Sequence, residues 1–223
     1  AVVRATGDCT FLLPHIENAD IACLQEMTPA STEWLNEKLG GRCRLVSPQQ
    51  YCGRSWPHEG HDIAIVFDKR KYVMTSCKYH DLDSYQQRCV CIVDLVDRGT
   101  GALLRIGTTH LESGTCSPAD LRVTQLCAAM SLVERFPAVC SVLAGDFNIR
   151  DWEAHRAKVG DDGGKKWQDA WHEGGAMPSC KATWKEYRFD RIFWRSSDLE
   201  GVSPELIPDS FRLLHATESD HQG

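Results

Sequence analysis

Five groups of polar residues in this sequence stand where an apolar run would deliver a side chain into a cleft. Glu26 follows Ile21-Ala22-Cys23-Leu24-Gln25, and His110 follows Ile106-Gly107-Thr108-Thr109. Asp146 and Asn148 follow Val142-Leu143-Ala144-Gly145, Asp190 lies inside Arg188-Phe189-Asp190-Arg191-Ile192-Phe193, and Asp220-His221 stands near the end of the sequence. Carboxylates and an amide of this kind can hold a hard cation and orient water, and imidazoles can carry protons. Taken alone, Glu26 reads as a solvated carboxylate at a strand end. An aspartate pressed among aromatic residues is costly without a partner. Asp190 therefore needs one, either Arg188 or Arg191 in a structural ion pair or a group brought in by the fold.

The elements that must position these residues are legible as short runs rich in Val, Ile and Leu. Asp20 to Gln25, Asp62 to Phe67, Cys89 to Val96, Leu103 to Thr109, Val139 to Ala144 and Phe189 to Trp194 read as strands. Pro118 to Phe136 reads as a helix, with Leu121, Leu126, Met130 and Val133 near a helical repeat. Thr28 to Leu39 reads as a second helix, started by Pro29 and stopped by Gly40-Gly41. Phe11 to Ile16 supplies the last turns of another before the first strand. Asp97-Arg98-Gly99-Thr100-Gly101 is a hairpin turn, which a purely parallel sheet would not need. Ser47 to Gly60, Asp161 to Gly164 and Ser197 to Ser210 read as loops. Strands alternating with helices, plus hairpins, predict two packed mixed sheets flanked by helices, in one domain covering 1–223.

The 223 residues carry 25 Lys plus Arg against 31 Asp plus Glu, a net charge of -6, so any nucleic-acid site must be local. The basic residues Lys181, Lys185, Arg188, Arg191 and Arg195, interleaved with Trp184, Phe193 and Trp194, are the local candidate, because cations that track a backbone and aromatic faces that stack bases grip single strands. Strand alternation places Phe193 or Trp194 in the core instead, and leaves Trp184, in its loop, as the better stacking residue. The 11 cysteines are scattered as singletons apart from one Cys-x-Cys at Cys89 and Cys91, and most sit inside apolar runs, as reduced thiols of an intracellular protein would. No apolar stretch approaches the roughly 20 residues that span a bilayer. His58, Glu59, His61 and Asp62 could suggest a metal site, but Pro57 and Gly60 mark a loop and Asp62 leads into a strand.

Leu24-Gln25-Glu26, Thr109-His110-Leu111-Glu112-Ser113, Gly145-Asp146-Phe147-Asn148, Arg188-Phe189-Asp190-Arg191-Ile192 and Ser219-Asp220-His221 occur in one order across nearly the whole sequence. In this they resemble the endonuclease, exonuclease and phosphatase superfamily, whose deoxyribonuclease-I-like fold is a four-layer α/β sandwich. Leu111-Glu112-Ser113, Arg150-Asp151 and the run Arg188 to Arg195 resemble the branch that removes tyrosyl adducts from DNA 5′ ends. The family's Trp-Asn strand has no counterpart: Ala1 to Asn18 matches the first helix that follows it. The last strand is missing too, and truncation at both ends accounts for both gaps.

The resemblance implies a nuclear Mg2+-dependent phosphodiesterase, with Mn2+ as a substitute metal. It implies Glu26 as the metal ligand and Asp220 as its partner through water. It makes Asp146 the residue that activates water, with Asn148 holding water and phosphate. It places His221 against the phosphate, oriented by Asp190, with His110 a second donor. Ser113, Arg150, Trp184, Arg188 and Phe193 are the candidates for holding substrate. The expected partner of this monomer is a single-stranded DNA 5′ end that carries a tyrosyl or topoisomerase-derived peptide adduct. Abasic DNA, RNA or a phosphoinositide as substrate, or an inactive binding module, are the alternatives.

Overall fold

The computed structural model describes residues 2–4 (backbone only), 10–114, 118–159, 167–173, 182, 183 and 185–196. Strand β1 (Val2–Arg4) is followed by a short 3-10 turn and helix α1 (Leu13–Asn18), then β2 (Ile21–Met27), α2 (Pro29–Leu39), β3 (Cys43–Val46), α3 (Pro48–Cys52) and β4 (Asp62–Asp68). The second half contains β5 (Tyr72–Asp81), β6 (Cys89–Asp97), β7 (Leu103–His110), α4 (Ala119–Glu134), β8 (Cys140–Asp146), α5 (Asp151–Arg156), β9 (Gln168–Asp169), α6 (Ala170–Glu173) and β10 (Asp190–Ser196). Sheet A runs β1-β2-β4-β3 and sheet B runs β5-β6-β7-β8-β10-β9.

Both sheets are mixed. β1 pairs parallel with β2, and β7 parallel with β8, while the other neighbours are antiparallel. The parallel β7–β8 pair needs a crossover, which α4 supplies. Alternation along each strand then builds four layers. Ala22, Leu24, Ala64 and Val66 pack outward under α1 and α2, and Cys23, Ile63, Ile65 and Phe67 pack inward against Val93, Ile106 and Ala144 of sheet B. Leu143 and Phe193 pack outward under Leu126, Met130 and Val133 of α4. Strands buried on both faces read as continuous apolar runs, which is why they were visible in the sequence.

The opening segment departs from the helix expected over 1–18. Val2–Arg4 is a strand registered against Cys23 to Gln25, so a strand does precede the first helix, although its residues include neither Trp nor Asn. Pro48–Cys52 forms a helical turn, capped by Ser47, inside the expected loop. The expected loops at 161–164 and 197–210 lie outside the described residues. β7 and β8 approach so closely at Gly145 that a Cβ there would lie 2.0 Å from the Thr109 carbonyl oxygen, so only glycine fits immediately before Asp146.

Candidate active site

Three strands of sheet B end or begin on one row. His110, the last residue of β7, is in register with Asp146, the last of β8, and Asp146 is in register with Asp190, the first of β10. By alternation His110, Asp146 and Asp190 share the face that carries Ile106, Ala144 and Ile192 into the space between the sheets. All three are buried. The His110 Nε2 lies 3.7 Å from the Asp146 Oδ2.

Sheet A supplies the opposing residue. β2 shifts register between Leu24 and Met27, and Glu26 takes a left-handed φ of 55° there. A bulge of this kind re-aims side chains next to active sites, and Glu26 is 4% exposed. Beside it, the Gln25 amide donates to the Thr108 hydroxyl at 2.9 Å, a buried bond that ties sheet A to sheet B next to the row. Asn148 also has a left-handed φ, 51°, and its backbone N–H donates to the Asp146 carboxylate at 3.0 Å. Its side-chain amide donates to the Leu111 carbonyl at 3.3 Å, which holds the turn after β8 against the strand end that carries His110.

The sequence reading missed Arg88. Its guanidinium is buried, with Nη1 3.2 Å from the His110 Nδ1 and Nη2 donating to Gln86 at 3.0 Å and Ser113 at 3.3 Å. An arginine only donates, so this contact makes the His110 Nδ1 an acceptor and leaves the proton on Nε2, toward Asp146. Burial lowers the Arg88 pKa from its ordinary value, opposed by the charges of Glu59, Glu112, Asp146 and Glu26. The cation therefore sits within the field of both Glu26 and Asp146. Nothing in the local pattern Gln86-Gln87-Arg88-Cys89 marks Arg88 as different from a surface arginine. Glu112, also buried, accepts from Ser84 at 2.6 Å and from Gln125 at 3.3 Å, so it braces the loop that carries Arg88. His61 stacks on His110 with ring centroids 6.3 Å apart, while Asp62 accepts from Gln49 and Arg54, so the 58–62 cluster forms one wall of this site.

The candidates for holding substrate divide. Ser113 stands beside Arg88 and Gln86, and Arg150 is half-exposed at the start of α5 with its guanidinium 5.2 Å from the centre of the Tyr187 ring. Arg188 and Phe193 are corrected. The Arg188 side chain is 2% exposed and is held by Asp169 at 2.8 Å and Asp151 at 3.3 Å. Phe193 is fully buried against Phe147, ring centroids 4.9 Å apart, because its position in β10 faces α4. Arg191 is tied to the same two aspartates and Arg195 to Glu134, so three of the five basic residues named for this run are paired within the protein. Arg188 and Arg191 are thus both engaged by Asp169 and Asp151, and the Asp190 backbone N–H donates to the Thr183 hydroxyl at 3.0 Å. Asp220, His221 and Trp184 lie outside the described residues.

Comparison with known proteins agrees with this geometry. Tyrosyl-DNA phosphodiesterase 2 of Homo sapiens is 28% identical over 97% of this chain, and that of Danio rerio 27% over 97%. The chain spans about three fifths of the length of these relatives, 59% and 58%. The solved structure of D. rerio TDP2 complexed with single strand DNA product superposes with a TM-score of 0.79 at 24% identity, covering 96% of this chain and 86% of that one. ANGEL2, a 2′,3′-cyclic phosphatase, shares the fold at a TM-score of 0.64 and 14% identity, covering 84% of this chain and 73% of that one. The pattern that defines the Endonuclease/Exonuclease/phosphatase family matches residues 10–221, and with the two packed sheets and the row of polar residues at their edge, the chain belongs to that family.

Proposed function

We propose that this protein hydrolyses the phosphodiester between a tyrosine, such as that of a trapped topoisomerase, and the 5′ end of a DNA strand, leaving a 5′-phosphate and serving DNA repair in the nucleus. The observation that carries this is the His110–Asp146–Asp190 row facing Glu26, in a chain alike over 97% of its length to tyrosyl-DNA phosphodiesterase 2. Among the described residues no helix is long and apolar enough to cross a membrane.

A phosphodiester repels its nucleophile and loses a charged leaving group, so the site must supply positive charge and an oriented water. Asp146 orients and deprotonates that water, its carboxylate held in place by the Asn148 backbone N–H. Asn148 holds water and phosphate without adding charge. His110 donates from Nε2 to a phosphate oxygen, in the tautomer Arg88 imposes. His221, oriented by Asp190, is a second donor. Ser113, Arg150 and Trp184 hold the strand beyond the scissile bond.

Mg2+, with Mn2+ as substitute, suits this donor set. Glu26 and Asp146 are buried hard oxygen donors, and Mg2+ is commonly bound through one or two carboxylates and completed by water and phosphate rather than caged by protein. Glu26 would hold it, with Asp220 acting through water. When bound, the ion supplies positive charge to the phosphate oxygens.

The test compares release of tyrosine from a 5′-phosphotyrosyl oligonucleotide with cleavage of plain DNA, abasic DNA, RNA and a phosphoinositide by the full-length protein. Preferential, Mg2+-dependent turnover of the tyrosyl substrate supports the proposal. Equal or faster cleavage of another substrate overturns the assignment within the family, and no turnover of any supports a binding module.

A further inference from the structure

We propose that a cleft on the outer face of sheet B, between β5 and the end of α4, is a second site that binds a phosphate group through Lys78 and Arg135. It does not rest on the catalytic proposal. Arg105 lies on β7 at an odd position, opposite in alternation to Thr108 and His110, so the cleft opens on the face away from the catalytic row. β5 contributes Lys78 and His80, β6 Asp94, β7 Arg105, and the end of α4 Arg135 and Phe136.

The charge arrangement is what calls for an anion. Three cations converge on the half-exposed Phe136 ring, Lys78 at 5.1 Å, Arg105 at 5.3 Å and Arg135 at 5.9 Å from its centre. Arg105 is satisfied: its Nε and Nη2 donate to Asp94 at 2.7 and 2.9 Å, and its Nη1 caps the Phe136 carbonyl at 2.5 Å. That pair consumes the cleft's one carboxylate. Lys78 and Arg135 are both exposed, and among the described residues neither has a carboxylate within ion-pair distance. Two like charges thus border one concavity around the Phe136 ring, and among the described residues its one carboxylate is already paired to Arg105.

His80 registers the excess. Burial lowers its pKa first, then the charges of Arg135 and Lys78, against a smaller opposing effect from Asp81. Asp94 and Arg105, further along the cleft, neutralise each other. At neutral pH the cleft therefore presents two cations and a neutral imidazole, a match for the charge and oxygen acceptors of a phosphate. The phosphate comes either free in solution or as part of a nucleic-acid backbone, for which cations around an exposed aromatic ring are the usual grip.

The experiment follows the His80 ring by NMR through a pH titration, alone, with inorganic phosphate, and with a single-stranded oligonucleotide. A bound anion offsets the two cations, so the His80 pKa should rise by about half a unit or more. In Lys78→Gln/Arg135→Gln the rise should vanish, with the melting temperature and the His110 signals unchanged. A rise with free phosphate identifies a site for the small anion. A rise with the oligonucleotide alone identifies a backbone site. No rise with either, or a rise that persists in the double variant, overturns the proposal.

Discussion

Arg88 limits what His110 can do, because a guanidinium at the Nδ1 leaves the Nε2 as the proton-bearing nitrogen. His110 thus offers a hydrogen bond to an anionic oxygen and cannot accept a proton at Nε2 while neutral. Replacing Arg88 by Gln should release this constraint. The 15N spectrum of His110 should then show mixed tautomers, and turnover should fall roughly tenfold or more. A single Nε2–H tautomer in the variant would show that Arg88 does not set it. Asp146→Asn probes a different role. In the proposed role of water activator, its loss should cost about three orders of magnitude in turnover with DNA affinity kept or improved, since a carboxylate that would face the phosphate is removed. Loss of binding with normal turnover of bound substrate would make Asp146 an anchor. Both effects are read from single-turnover kinetics.

Among the elements, β10 does more structural than recognition work at its start. Asp169 of β9 receives both Arg188 and Arg191, and Asp151 of α5 receives the same pair, so the two arginines lock three elements together. Arg188→Leu should leave Asp169 and Asp151 under-compensated and cost about 3 kcal/mol, seen in denaturant unfolding. The Kd for single-stranded DNA should move little. A weaker Kd at unchanged stability would restore Arg188 to the substrate groove. The sequence hid this because an Arg-rich run looks the same whether its partners are phosphates or aspartates distant in sequence. The strands it revealed are those buried on both faces, such as Ile63 to Phe67. The strand β5 went unnoticed because Val73, Thr75 and Lys78 face outward at the sheet edge and interrupt the apolar run. Likewise Glu26, His110 and Asp146 were legible as polar residues ending apolar runs, whereas Arg88 and Glu112 acquire their roles only from contacts across loops.

For the molecule as a whole, acid should be a selective stress. Hydrogen bonds from Arg70, and then from Arg42, hold the buried Asp68 carboxyl far below the usual carboxylate range in the folded state. A group with a depressed folded pKa contributes stability above its unfolded pKa of about 3.9, and that contribution fades as pH falls below it. Asp68→Asn should therefore destabilise at pH 7 and show a shallower loss of stability between about pH 4 and pH 2, measured by urea unfolding at each pH. An unchanged slope would mean that other carboxyls govern the acid limit. The proposed active edge has its own vulnerability, because Glu26 belongs to one sheet while His110, Asp146 and Asp190 belong to the other. Their spacing is kept by apolar packing between the sheets and by the Gln25–Thr108 bond. Cutting that bond with Gln25→Leu should let the sheets slide by a fraction of an ångström without unpairing a strand. Enzyme made this way should lose activity on warming several degrees before its circular dichroism changes, and regain it on cooling. Inactivation that coincides with the loss of secondary structure would show that the sheets stay aligned until the whole fold gives way.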